Sequence, residues 1–179
     1  MKKILSFLIL LIILTGCTTN SARNSVESYL KQYKNLSSEV LVDLEEIIDK
    51  ENLSEDQKEV YRDIIKKQYK DLKYEIIEEE YDEDVSYITV KLTVYDLYQS
   101  QNDASLYLEN NADKFNDGNG IYDSEKFIDY KLEQMKNTTD TIDYTITFTV
   151  TKEDDEYVVM QPSDEDLSKI HGIYSDTIA

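Results

Sequence analysis

The amino-acid sequence predicts an α+β domain in which N-terminal helices pack on an antiparallel sheet of about four strands. Apolar residues recur at helical spacing early in the chain and later alternate in two hairpins, with a helical insertion between the hairpins. The chain has 179 residues, a single proline and 15 tyrosines, which is the composition of a folded domain rather than of a disordered stalk. We therefore expect one hydrophobic core.

Residues 1–16 have the organisation of a secretory signal peptide. Lys2 and Lys3 form a short basic segment, and residues 4–14 are apolar except for Ser6. An apolar run of this length fits a signal-peptide core and is too short to cross a bilayer, which takes roughly 20 residues. The sequence therefore predicts export.

The next signal is the string Leu14-Thr15-Gly16-Cys17, which resembles the lipobox of bacterial lipoproteins. The resemblance implies that the Cys17 thiol receives a diacylglycerol, that cleavage occurs before Cys17, and that the new amine can carry an acyl chain. Two acyl chains anchor a protein stably where one does not. We expect a lipid-anchored protein on the outer face of the cell membrane, with no other cofactor. The alternative, a secretory signal with a chance cysteine, is disfavoured because Cys17 is the only cysteine.

The mature chain is predicted to hold a short tether and one domain. Residues 17–24 comprise the lipidated cysteine and a polar tether, and residues 25–179 form the single α+β domain. At about 3.3 Å per extended residue, the tether keeps the domain close to the membrane. No second cysteine is present for an intramolecular disulfide, so packing holds the domain together.

The charge of the mature chain excludes one class of partner. Loss of Lys2 and Lys3 leaves 17 basic against 38 acidic residues, a net charge of −21. Nucleic-acid binding needs clustered lysine and arginine, so no nucleic-acid partner is expected. The acidic domain is also not attracted to anionic headgroups, so the lipid provides the membrane contact.

Three helices are predicted before the first strand. Ser37 precedes the second helix, and Ser54 with Gln57 forms a capping box at the start of the third. The apolar stripes are Val26, Tyr29, Leu30 and Tyr33 in the first helix, Val40, Leu41, Leu44, Ile47 and Ile48 in the second, and Val60, Tyr61, Ile64, Ile65 and Tyr69 in the third.

Two hairpins follow. The first joins residues 72–81 to residues 87–95, and the second joins residues 142–150 to residues 157–160. The even-numbered residues are expected to face the helices: Ile88, Val90, Leu92, Val94, Ile142, Ile146, Phe148 and Val150.

Both hairpin turns are acidic, at Asp82-Glu83-Asp84 and Glu153-Asp154-Asp155-Glu156. If the inner strands of the two hairpins pair antiparallel, both turns lie at the same end of the sheet. Seven carboxylates then share one rim and repel each other at low salt.

The helical insertion contains a short helix over residues 103–112, a loop at residues 116–120 and a helix over residues 124–136. A last short helix begins after Ser163 and ends at Gly172.

This order of elements resembles the cystatin-like, nuclear transport factor 2-like fold, in which N-terminal helices lie in the concavity of a curved antiparallel sheet, a cone. The overall pattern, which includes residues 71–74, 94–98 and 169–174, is similar to small lipoproteins of Gram-positive gut bacteria of unknown function. The resemblance implies a fold and a cellular location but no activity, since this fold hosts enzymes, binding modules and inert modules alike.

His171 is the only histidine, and enzymes of this fold commonly use a His–Asp pair or a pocket Asp with Tyr. We interpret His171 as a last-turn residue that interacts with the C-terminus of its helix. One histidine and one lipidated cysteine leave no ligand set for zinc and no Cys–His nucleophile, so no metal site is expected.

The loop at residues 113–120 has some features of a calcium loop. Phe115 occupies a ligand position of the EF-hand pattern, and Ser124 stands where that pattern has a glutamate. We therefore interpret the loop as a flexible turn.

Basic residues recur every fourth position on the third helix. This stripe could dock an anionic partner, but Asp63 can pair with Lys67, and Glu59 with Arg62. We favour a solvated helix face for the stripe, which consists of Lys58, Arg62, Lys66 and Lys70.

For function, we favour a membrane-tethered, non-enzymatic module that binds a small apolar ligand or an envelope protein. A cavity for that ligand would be lined by Tyr33, Tyr61, Tyr69, Tyr144 and Phe148. The alternatives are an enzyme of the same fold with a carboxylate–tyrosine acid–base pair in the cone, and a purely structural surface protein. The sequence does not define the oligomeric state.

Overall fold

Six α-helices and one four-stranded sheet make up residues 21–175, the part of the chain that this computed structural model describes. The predicted signal peptide, residues 1–16, and Cys17 lie outside the described residues. No helix within residues 21–175 combines the length and apolar character that a bilayer crossing requires. The elements are α1 Ala22–Lys34, α2 Ser38–Lys50, α3 Glu55–Asp71, β1 Lys73–Asp82, β2 Val85–Tyr95, α4 Leu97–Asn110, a 3-10 helix Ala112–Phe115, α5 Ser124–Asn137, β3 Thr141–Glu153, β4 Glu156–Val159 and α6 Asp164–His171.

The first helix starts earlier than the sequence predicted. The Ser21 side chain accepts a hydrogen bond from the Asn24 backbone N–H at 3.2 Å, and Ala22 is fully buried. The prediction that the tether extends to residue 24 is therefore wrong for residues 22–24. A short Ala side chain carries little signal in a stripe dominated by Tyr and Leu, which explains the error.

The predicted starts of α2, α3, α5 and α6 are confirmed. The Ser37 side chain accepts from Val40 N–H, and Ser54 and Gln57 form the reciprocal capping box. Each cap satisfies backbone donors that have no partner inside the helix. The last helix ends at Gly172, whose φ of 73° is the left-handed conformation typical of a helix C-terminus.

The four strands form one open antiparallel sheet in the order β1-β2-β3-β4. The central pair has Ile88 opposite Phe148, and Val90 opposite Ile146. Both predicted hairpins are confirmed, and the antiparallel pairing of β2 with β3 places both acidic turns at the same end of the sheet.

One face of the sheet carries the core. Seven of the eight even-numbered strand residues predicted to face the helices are buried, and Ile142 is half-buried against the same cluster. Burying one large aliphatic side chain is worth about 1.5–3 kcal/mol, so this face stabilises the fold. The helical residues that complete the cluster include Leu30, Leu44, Ile48, Ile64, Ile65 and Ile170.

The insertion between the hairpins differs from the prediction at its start. Helix α4 begins at Leu97 rather than near residue 103, because the Asp96 carboxylate accepts from the Gln99 backbone N–H at 2.9 Å. Leu97 and Ala104 are the buried apolar residues of this polar helix, which left a weak periodic signal. Aromatic rings join the insertion internally, with Tyr107 stacked on Tyr130 at 5.0 Å.

The basic stripe on α3 is tied to α2. The Nε and Nη2 groups of Arg62 donate to the two carboxylate oxygens of Glu45, at 2.6 and 2.8 Å. The Lys58 ammonium lies 3.1 Å from Asp49. Among the described residues, the pairs predicted within α3 do not appear as ion pairs. The acidic face of α2 lies beside the stripe, and this tertiary contact replaces the predicted local pairs.

Candidate functional site

A groove of about 420 Å³ opens between α2 and α6. Its walls come from consecutive turns of both helices, and residues from α1 and α3 form its floor. The lining residues are Tyr33, Asp43, Glu46, Ile47, Lys50, Tyr69, Gln161, Asp164, Leu167, Ser168, His171 and Ile173.

The floor is aromatic. Tyr33 from α1 and Tyr69 from α3 meet edge to face with ring centroids 5.1 Å apart. The Tyr69 hydroxyl is 2.9 Å from Nδ1 of His171, and the Tyr33 hydroxyl is 3.1 Å from that of Tyr29. Each of these residues falls on the apolar stripe or the last turn of its helix, so core packing and site geometry have the same origin.

Burial keeps the floor uncharged. Loss of solvent lowers the pKa of His171 to about 4 and raises the pKa values of Tyr33 and Tyr69 well above 10. The imidazole is therefore neutral at pH 7. His171 does occupy the last turn of α6, as predicted. Its ring is hydrogen-bonded to Tyr69, and burial disfavours the protonated form that the helix dipole would stabilise.

The rim of the groove is charged. Asp43 and Glu46 from α2 and Asp164 from α6 are exposed carboxylates, and Lys50 is the one ammonium group among the lining residues. The rim thus carries three negative charges and one positive charge. A rim with this net negative charge favours a cation over an anion, and the apolar residues that line the groove favour a ligand with an apolar body.

The predicted cavity residues divide into two groups. Tyr33 and Tyr69 line the groove, whereas Tyr61, Tyr144 and Phe148 belong to the buried core cluster and do not line it. Burial raises the pKa of Tyr61 to about 12.

The Tyr144 hydroxyl donates to the Tyr174 carbonyl at 3.2 Å. This hydrogen bond connects β3 to the segment that follows α6. Sequence reasoning missed the rim residues, including Asp43. Their one signal was a position beside the apolar stripe of α2, which many solvent-facing carboxylates share.

A second groove, of about 500 Å³, lies between the start of α3 and α5. The side chain of Gln57, which forms the capping box with Ser54, also donates to Asp129 at 2.8 Å. Val60 and Leu132 are among its apolar lining residues, and no aromatic ring lines it. Because its buried polar group is used to join the two helices, we regard this groove as structural.

The loop at residues 113–120 forms a local turn. Asp117 accepts hydrogen bonds from the backbone N–H groups of Asn119 and Ile121, at 2.8 and 2.9 Å. These bonds from the backbone lower the pKa of Asp117. In the described part of the chain, no group of three or more His, Cys, Asp or Glu residues is arranged to hold a metal ion.

Comparisons with known proteins add no family to this geometry. No family model matches the chain, and it has no match among curated proteins or solved structures. The groove between α2 and α6 is therefore interpreted from its own residues.

Proposed function

We propose that this chain is a lipid-anchored extracytoplasmic binding module that takes a small organic cation with an apolar or aromatic body in the groove between α2 and α6. The observation that carries the proposal is the combination of a buried, neutral aromatic floor with a rim of three carboxylates and one ammonium group.

The two parts of the groove contribute differently to such a ligand. The apolar surface that a ligand can reach comes from Ile47, Leu167 and Ile173, which are half-buried. Tyr33 and Tyr69 are only 5 % and 1 % exposed and form the base beneath them. The exposed rim carboxylates attract the cation through water, so their contribution is small and falls with salt. Affinity therefore rests on the apolar lining of the groove, and selection for positive charge rests on the carboxylates of its rim.

A binding role is favoured over acid–base catalysis. A general acid or base works best with a pKa near the working pH. Burial moves the pKa of His171 down and the pKa of Tyr69 up, away from neutrality. The hydroxyls of Tyr33 and Tyr69 also bond to Tyr29 and His171 rather than to a carboxylate.

The proposed location on the outer face of the membrane rests on the lipobox-like string that ends at Cys17. The order of helices, hairpin, helices and hairpin supports a cystatin-like arrangement, with α1 and α3 packed on one face of the sheet. Binding of an envelope protein at the outer surface is the second candidate, and a short tether would limit which proteins can be reached.

A charge series of ligands tests the proposal. The full chain, purified in detergent, is titrated by calorimetry with benzyltrimethylammonium, neutral benzyl alcohol and anionic phenylacetate. We expect the cation to bind at least about tenfold more tightly than the neutral compound, a difference of about 1.4 kcal/mol. Phenylacetate should bind most weakly.

Two variant pairs locate the site. Asp43→Asn and Tyr69→Phe should weaken binding of the cation, because Asp43 lies on the rim and the Tyr69 hydroxyl holds His171. The matched controls, Asp63→Asn on the exposed side of α3 and Tyr61→Phe in the core, should bind as the parent does. Equal affinity for all three compounds, or equal loss in variants and controls, contradicts the proposal.

A further inference from the structure

The outer edge of β3 is only partly covered. Strand β4 pairs with β3 only at the residues from Val150 to Glu153, and the chain leaves the sheet after β4 ends at Val159. On the other side β3 pairs with β2 along the whole stretch from Thr141 to Thr151. Within residues 21–175, the first half of β3 therefore has a strand on one side and none on the other.

The hydrogen bonds show which backbone groups face this open edge. Met160 N–H donates to the Thr149 carbonyl at 2.9 Å, and Lys152 N–H donates to the Asp84 carbonyl at 2.8 Å. The backbone N–H and C=O groups of odd-numbered β3 residues thus point toward β4, and those of even-numbered residues point toward β2. The direction of these groups alternates along a strand. Accordingly, Asp143, Thr145 and Thr147 direct their N–H and C=O groups outward, and no described residue is hydrogen-bonded to these groups.

The opposite edge of the sheet is protected against strand pairing. Strand β1 has an irregular register between Ile76 and Glu78, where an extra residue interrupts the ladder. Bulges and charged residues are devices by which natural sheets block edge-to-edge pairing. The carboxylates on this strand are Glu75, Glu78, Glu79, Glu80 and Asp82.

The β3 edge has no such bulge and only one charged residue. Its register with β2 is continuous, and from Thr141 to Thr149 it contains no proline and no lysine. Threonine, isoleucine, tyrosine and phenylalanine dominate it, and all of them favour strands. Its single charge, Asp143, is neutralised on the sheet surface by the Lys91 ammonium at 2.8 Å.

We propose that a second copy of this chain occupies the β3 edge, with the two β3 strands antiparallel and the two sheets joined into one of eight strands. The occupant is a second copy because the edge is self-complementary. About a two-fold axis at Tyr144, Thr141 faces Thr147 and Asp143 faces Thr145, and no like charges lie directly opposite. The axis is perpendicular to the sheet, so both helical layers lie on the same side. This inference is independent of the ligand in the groove.

Photo-crosslinking of the full chain in bacterial membranes tests the pairing. Benzoylphenylalanine in place of Thr147 should give an adduct of twice the monomer mass, and the same probe in place of Glu78 on the protected β1 edge should not. Thr145→Pro removes an N–H that faces the open edge, so the Thr147 adduct should fall at least tenfold. Thr145→Val keeps that N–H and should leave the adduct unchanged.

Hydrogen exchange provides a readout that does not depend on the proline variant folding. In the unmodified full chain in detergent, the amides of Asp143, Thr145 and Thr147 should exchange more slowly as protein concentration rises. Exchange of these three amides that is independent of concentration would overturn the proposal. An adduct whose mass shows a different protein at Thr147 would overturn it as well, as would an adduct that persists in Thr145→Pro with native circular dichroism.

Discussion

The hydroxyl of Tyr69 on α3 lies 2.9 Å from Nδ1 of His171, the last residue of α6. The two residues are 102 positions apart in the sequence, and both are buried. Their hydrogen bond joins the C-terminal helix to the helix that precedes the sheet, beneath the groove proposed to bind a ligand. The neutral state of the imidazole therefore matters to stability as well as to the site.

This histidine should make the domain less stable as the pH falls from 6.5 to 4. In the unfolded chain His171 takes up a proton near its ordinary pKa of 6.5, whereas in the folded chain burial lowers the pKa to about 4. The unfolded state binds more protons across this window, so the free energy of unfolding decreases as the pH falls. The difference between the two pKa values corresponds to a loss of about 3 kcal/mol.

Urea unfolding of the parent and of His171→Phe at pH 7, 5 and 4 measures this effect. Carboxylates titrate in both proteins and cancel in the difference between their free energies of unfolding. Between pH 7 and pH 4 the parent should lose about 3 kcal/mol more free energy of unfolding than His171→Phe loses. A difference that does not change with pH would show that His171 is not the group responsible.

Two glycines with positive φ should respond unequally to alanine. A Cβ added at Gly172 would overlap the carbonyl oxygen of Tyr95, whereas a Cβ at Gly120 would meet nothing within 4 Å. Gly120→Ala should cost only the left-handed backbone strain, roughly 1–2 kcal/mol. Gly172→Ala adds a steric clash with the backbone, for a total of roughly 3 kcal/mol or more. Thermal unfolding of both variants checks the order, and similar losses would contradict it.

Salt should stabilise the domain, because it screens the repulsion between the two acidic hairpin turns. The turn at residues 82–84 lies beside the turn at residues 153–156, and seven carboxylates share this end of the sheet. The Lys152 ammonium pairs with Asp155 at 2.9 Å, which neutralises one of them. Screening of the remaining repulsion should raise Tm, and divalent ions should act weakly and without selectivity.

Thermal melts between low and high NaCl, repeated with Mg²⁺ and Ca²⁺, measure this response. The double variant Asp84→Asn, Asp154→Asn should reduce the salt dependence of Tm, because two charges are removed from the acidic turns. A Tm that stays flat or falls with salt would reject the repulsion argument. Submicromolar, calcium-specific binding would instead indicate a built cation site.

The proposed lipid anchor predicts a specific failure when the Cys17 thiol is removed. Cys17→Ser should give an uncleaved or shed protein that carries no acyl label, because a serine hydroxyl would not replace the thiol that we expect to accept the diacylglycerol. Metabolic labelling with a fatty acid and fractionation of membranes measure the outcome. Normal processing and full retention of Cys17→Ser in detergent-extracted membranes would show that the lipobox interpretation is wrong.

Local sequence signals predicted most of the fold. The caps at Ser37 and Ser54 were readable because a side chain bonds to backbone groups three residues away. The hairpins were readable because alternation over eight or more residues leaves one choice of buried face. Helix α4 was predicted too short because its polar composition leaves little periodicity, and Asp96 caps it before the apolar residues that were used to place it.

The candidate site could be predicted only in part. Tyr33 and Tyr69 were expected to line a cavity, since tyrosines on apolar stripes must place their hydroxyls near a partner. Tyr61, Tyr144 and Phe148 occupy the same core without reaching the groove. No periodic pattern distinguishes the two groups, because both fall on inward-facing positions of their elements.

The amino-acid sequence by itself determined the α+β class, the two hairpins and the buried face of the sheet, because each depends on contacts between residues close along the chain. Only the tertiary structure decided which helices meet. The approach of α6 to α3 makes His171 a neutral partner of Tyr69, and the approach of α2 to α3 pairs Arg62 with Glu45. Burial and long-range proximity set these roles, and neither is encoded in the spacing of residues along one element.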